Sequence, residues 1–129
     1  MSILNILILD NDPELGESFK KLLEPHNYSV DYALSVTEAI RKVRQKEYVI
    51  VYMDIQLPGL IDVDTFTLLK RISPRSELVY IADPMEYDLS ESEMAFIKAG
   101  GLIYCPRLPF LNEEIIDATK AILQGKIAG

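Results

Sequence analysis

Residues 51–59 read VYMDIQLPG, an apolar run that ends on a carboxylate and turns at once through Leu-Pro-Gly. Taken alone, Asp54 is the first polar residue after a strand, a place where Asp, Asn and Ser commonly begin turns. Its meaning depends on what else shares that end of the sheet. The run Tyr48–Met53 has three counterparts, Ile3–Leu9, Leu78–Ala82 and Leu102–Cys105, all short and nearly continuous in apolar residues. Such runs fit strands covered on both faces, as in a parallel sheet. YSVDYA, from Tyr28, alternates instead: Tyr28, Val30 and Tyr32 fall on one side, Ser29 and Asp31 on the other, the pattern of an edge strand.

Between these runs the apolar period becomes helical. Leu15, Phe19, Leu22 and Leu23 line one face of a first helix, with Asp12 as its N-cap and Pro13 in the first helical position. Ser35 and Glu38 have capping-box spacing ahead of Val36, Ala39, Ile40 and Val43. Phe66, Leu69 and Ile72 mark a third helix, and Ser90 with Glu93 opens a fourth with a thin apolar face of Met94 and Ile97. Asn112 caps a fifth that buries Ile115, Thr119, Ile122 and Leu123.

Strand followed by helix five times over, with no repeat or linker, predicts a single α/β domain over residues 1–129: a doubly wound (βα)5 fold with helices on both faces of a parallel sheet. The 129 residues, 49% hydrophobic, suffice for one sizeable core. Ligands in such sheets bind beyond the carboxyl ends of the strands, where strand order reverses. The first and third strands end in Asp10 and Asp54, and as neighbours about 4.8 Å apart they would bring two carboxylates into one crevice. That arrangement is costly without a cation.

The net charge of −7, from 20 acidic and 13 basic residues, suits cations and basic partners. It argues against a nucleic-acid surface, which needs a clustered positive field. Cys105 is the sole cysteine and has no internal disulfide partner, so a buried thiol is its default reading. The amino terminus lacks the positive start of a secretory segment, and no stretch approaches the 18 or so apolar residues that span a bilayer. A cytoplasmic protein with no membrane contact is expected.

The stretch ILILDND (6–12), the DIQLPG turn (54–59), the helix end LLKRI (68–72), AGG (99–101) before the fifth strand and Pro109-Phe110 together resemble the receiver domain of two-component response regulators. The resemblance covers almost the whole chain and implies a flavodoxin-like sheet of order 2-1-3-4-5. It further implies that Asp54 accepts a phosphoryl group from a sensor histidine kinase or a phosphotransfer protein in a phosphorelay. Mg²⁺ would be held by Asp10, Asn11, Asp54 and the backbone carbonyl of Gln56. A carboxylate that attacks phosphorus is repelled by the phosphoryl oxygens, and a divalent cation with hard oxygen ligands offsets that charge. Output would pass to a partner protein or a homodimer through the fourth helix, fifth strand and fifth helix, with self-phosphorylation and self-dephosphorylation as the only catalysis.

Several positions depart from the family. Asn11 stands where a second carboxylate is usual, which weakens the expected Mg²⁺ site, and Asp12, nearby, reads as the helix cap. Ala82 replaces the Thr or Ser that binds the phosphoryl group and reports it. Asp83 follows it and would repel that group. Tyr104 fits the switch aromatic, although such a residue is more often simply packed. Arg107 takes the register of the family lysine, with Leu108 as an extra residue before Pro109, and could pair a phosphoryl oxygen. About three extra residues follow Leu-Pro-Gly, and the DPMEYDLSESE loop (83–93) is unusual.

Two other functions compete with phosphoacceptance. A receiver-like module that binds its partner independently of phosphate is favoured by Ala82 and opposed by Asp10 and Asp54. A haloacid dehalogenase-like phosphatase would use Asp10 as nucleophile and Asp12 as general acid, but a helix starting at Pro13 leaves no room for that family's flap. His26, in EPHNY, reads as an exposed turn residue.

Overall fold

Asp12 accepts the backbone N–H of Glu14 at 3.0 Å, and Pro13 supplies a first helical residue that needs no N–H partner, so α1 (Pro13–Leu23) begins where the sequence places it. The computed structural model describes residues 3–10, 12–54, 63–81, 102–104 and 112–125. The remaining elements are β1 (Leu4–Leu9), β2 (Tyr28–Ala33), α2 (Val36–Gln45), β3 (Ile50–Asp54), α3 (Val63–Ile72), β4 (Glu77–Ile81), β5 (Leu102–Tyr104) and α4 (Asn112–Leu123). A 3₁₀ turn, Glu24–His26, joins α1 to β2 through Asn27 in the left-handed region, and His26 is exposed there. The expected fourth helix from Ser90 and the thiol of Cys105 lie outside the described residues, and α4 is the segment expected as the fifth helix.

All pairings are parallel, in the order β2-β1-β3-β4-β5. Side chains alternate across the sheet, and both faces are covered. Leu7, Leu9, Val51, Met53 and Leu78 pack on the face that carries Ala39 and Val43 of α2 and Phe66 and Leu69 of α3. Ile6, Ile8, Ile50, Tyr52 and Val79 pack on the other, against Phe19 and Leu23 of α1 and Ile115 and Ile122 of α4. This two-sided cover is why the central runs are apolar at nearly every residue, and why only the edge strand β2 alternates.

Caps and buried polar bonds hold the helices in place. Ser35 accepts the Glu38 N–H at 3.1 Å, and Glu38 reaches back to the Leu34 N–H at 3.3 Å. Thr119 and Tyr52 share a buried 2.8 Å hydroxyl bond that ties α4 to the middle of the sheet. Burial raises the Tyr52 phenol well above its ordinary pKa, and the Thr119 bond, which acts in the opposite direction, does not offset it.

Several boundaries differ from the sequence expectation. β1 starts at Leu4, one residue late. β3 starts at Ile50 instead of Tyr48, because the Tyr48 hydroxyl donates to Asp31 Oδ2 at 2.8 Å while its carbonyl accepts the buried Ser76 hydroxyl at 2.6 Å. β4 starts at Glu77, one residue early, while the expected last residues of the fourth and fifth strands, Ala82 and Cys105, lie outside the described residues. Asn112 is the first residue of α4 and not its preceding cap, a one-residue difference at a helix end.

Candidate functional site

The parallel register decides which residues meet at the carboxyl end of the sheet. Leu9 pairs with Met53, so Asp10 and Asp54 occupy the next opposed positions on neighbouring strands. Asp54 in turn pairs with Ile81, and Ile81 with Tyr104. Four strand ends thus align, carrying Asp10, Asp54, the residue ahead of Ala82, and Tyr104 in that order.

Asp10 is the best defined member. The residue is buried, at 5% exposure, its Oδ1 accepts the Asp12 N–H at 2.8 Å, and its own N–H donates to the Ala33 carbonyl at 3.1 Å. A buried carboxylate at a strand end is stabilised there by backbone donors such as the Asp12 N–H. Asp12 is exposed, and its carboxylate caps α1. Asp54 and Tyr104 are placed by their backbones, while Asn11, Gln56, Ala82 and Arg107 lie outside the described residues. Among the described residues no three metal-ligating side chains converge. The donor type that is present, a buried carboxylate facing a second aspartate position, fits a hard, oxygen-seeking ion such as Mg²⁺.

Two arrangements near this corner were not anticipated from sequence. Gly16, inside α1, lies against Tyr32 so closely that an added Cβ would sit 2.7 Å from the ring's Cγ and 2.8 Å from its Cβ. The absent side chain lets α1 settle onto β2 and so fixes where Asp12 and Asp10 stand. The available signal was a glycine in a helix interior, which costs about 1 kcal/mol relative to alanine unless packing requires it. Tyr32 closes that contact by donating to Glu17 Oε1 at 3.2 Å.

The second arrangement lies at the sheet edge. Asp31 accepts Tyr48 at 2.8 Å and Lys46 at 3.0 Å. Burial alone would raise its carboxyl, but these two bonds, with the Lys46 and Lys42 charges, outweigh it and leave the pKa below the ordinary carboxylate value.

The family model for the response regulator receiver domain matches residues 6–101, and the chain belongs to that family. It is 28% identical over 119 residues to the transcriptional regulatory protein CpxR homolog of Haemophilus influenzae, covering 92% of this chain and 50% of that protein. It is 27% identical, with the same coverage, to the response regulator MprA of a Mycobacterium strain. The chain thus spans about half the length of these relatives. Its backbone matches a CheY-like receiver domain protein from Methanospirillum hungatei with a TM-score of 0.81 at 21% identity, covering 97% of each chain.

The family is a signalling family of two-component systems. Its members work with histidine kinases and output domains, and in general bind Mg²⁺ at the site of phosphorylation. The flavodoxin-like order expected from the resemblance is the order observed. The phosphatase reading is not favoured: α1 begins at Pro13, and Asp12 is engaged as its cap. No described helix is long and apolar enough to cross a membrane.

Proposed function

We propose that this receiver domain, residues 1–129, accepts a phosphoryl group on Asp54 from the phosphohistidine of a cytoplasmic sensor kinase or phosphotransfer protein. The observation that carries the reading is the buried residue Asp10 at the register position beside Asp54. An Asp54 oxygen forms the new P–O bond as the P–N bond to the donor imidazole breaks, and the imidazole leaves as the neutral ring after protonation. Asp10, Asn11, Asp54 and the Gln56 carbonyl would hold Mg²⁺, which when bound offsets the charge of carboxylate and phosphoryl oxygens. With Asn11 in place of a carboxylate, one negative charge is lost from that set, so binding of the ion is weak. Arg107 stands in for the family lysine by pairing a phosphoryl oxygen.

Partners meet a face built from β5, α4 and the segment between β4 and β5. Because Ala82 has no hydroxyl, a second reading is a phosphate-independent module that uses the same face. The two part on one experiment. In a small phosphodonor with Mg²⁺, intact mass should rise by one phosphoryl group, and EDTA or Asp54→Asn should abolish the gain. Absence of any gain in the native chain, with Mg²⁺ at saturation, selects the phosphate-independent reading.

A further inference from the structure

The opposite end of the sheet has a charge character the whole chain does not suggest. Residues 41–47 (RKVRQKE) and 70–77 (KRISPRSE) hold seven of the 13 basic residues and two of the 20 acidic ones. These fifteen positions therefore carry +5, and the remaining chain −12, within the total of −7. The two segments are far apart in the chain, so they form no positive cluster along the sequence. Folding brings them together: α2 and α3 pack on the same face and both end beside the starts of β3 and β4.

An open groove of about 240 Å³ lies between those helix ends, with Ile72 and Pro74 as apolar surface over the buried Val43, and with Arg44, Lys46 and one acidic residue, Glu47, at its margin. Arg71 and Arg75 flank Ile72 and Pro74 along the chain, and both are exposed. Basic residues in a last helical turn often do no more than complement the helix dipole. Here the magnitudes differ. Two helix C-termini contribute about one negative charge together, at about half a unit each, against a surplus of five. Lys46 is paired with Asp31 and Lys70 donates to the Ser76 carbonyl. Arg41, Arg44, Arg71 and Arg75 have no ion-pair partner among the described residues.

We infer that this groove is a docking site for an acidic polypeptide segment with an apolar anchor, belonging to a partner protein. Guanidinium forks suit carboxylates bidentately, while Ile72 and Pro74 offer the anchor a nonpolar seat. A peptide is favoured over duplex nucleic acid because the domain is acidic as a whole, with a pI near 4.7. A short segment can pair locally within a screening length of about 8 Å, whereas a duplex presents its phosphate charge over a longer reach to a protein of net −7. The site lies a full strand from Asp54, about 17 Å for the 5 residues of β3, so it goes beyond the phosphoacceptor function.

The test is fluorescence anisotropy of a short labelled peptide of glutamates interrupted by leucine, titrated with the full chain. Saturable binding that weakens with added salt is expected. The charge reversals Arg44→Glu, Arg71→Glu and Arg75→Glu together should weaken it by about tenfold or more, from several exposed pairs at up to about 1 kcal/mol each. The neutral set Arg44→Gln, Arg71→Gln and Arg75→Gln should fall between, which separates charge from misfolding. Lys20→Glu, Lys21→Glu and Lys120→Glu, equal in charge but placed on α1 and α4, should leave binding within about twofold, a difference of about 0.4 kcal/mol. Equal losses in both reversal sets, no saturable binding, or tighter binding of a labelled duplex than of the peptide would each overturn the inference.

Discussion

Gly16→Val is expected to lower the stability of the domain by about 3 kcal/mol, the upper part of the overpacking range, and so to lower Tm by roughly 10 °C or more for a chain of this size. The clash falls on the Tyr32 ring at its Cγ and Cβ, close to the backbone, where no terminal rotation relieves it. Tyr32 itself is fixed in β2, opposite Ile8. Valine recovers only a few tenths of a kcal/mol in helix propensity over glycine, too little to offset the strain. Relief requires α1 to lift from β2, which also moves the Asp12 N–H away from Asp10. Phosphoryl acceptance should therefore fall with stability, and not survive it. Thermal unfolding followed by circular dichroism gives the first result, and an unchanged Tm would mean that α1 does not rest on Tyr32.

The second large effect is expected at Ala82. A bound group shifts a conformational equilibrium only through contacts that differ between the two states. At the end of the fourth strand, the hydroxyl that would supply the differential contact in the family is missing from this chain. Phosphorylation of Asp54 should accordingly change little around Tyr104, and Ala82→Thr should restore a response. Amide hydrogen exchange across residues 82–104, with and without beryllofluoride, measures it. A large change in the native chain would place the signal on another group, Arg107 first among them.

Much of the architecture was legible because each face of the sheet is buried. Continuous apolar runs at Ile6, Ile8, Tyr52 and Val79 on one side and Leu7, Leu9 and Val51 on the other identify strands sandwiched between helices. Caps at Asp12 and Ser35 mark helix starts because few other residues satisfy the exposed N–H groups there. Strand ends were less legible. Tyr48 has the side chain of a strand residue, yet its hydroxyl and carbonyl are taken by Asp31 and Ser76, partners 17 and 28 residues away.

At the site, Asp10 and Asp54 were legible as strand ends, but their adjacency depended on the strand order that the family resemblance implied and that the β1–β3 pairing bears out. The role of Gly16 was not legible, because its neighbour Tyr32 is on another element. Nor was the positive groove, since Arg44 and Arg75 are distant in sequence and the chain around them is acidic. Asn11, Gln56, Ala82 and Arg107 lie outside the described residues, and their proposed roles rest on the match to the family's motif alone.

Asp54, at the carboxyl end of β3, is expected to bind a phosphoryl group together with Mg²⁺. The most direct measurement is a fluorine NMR titration of the native chain with beryllofluoride. A single saturable bound signal that requires Mg²⁺ and vanishes in Asp54→Asn is predicted. A bound signal that persists in Asp54→Asn, or none at saturating Mg²⁺, would contradict the account.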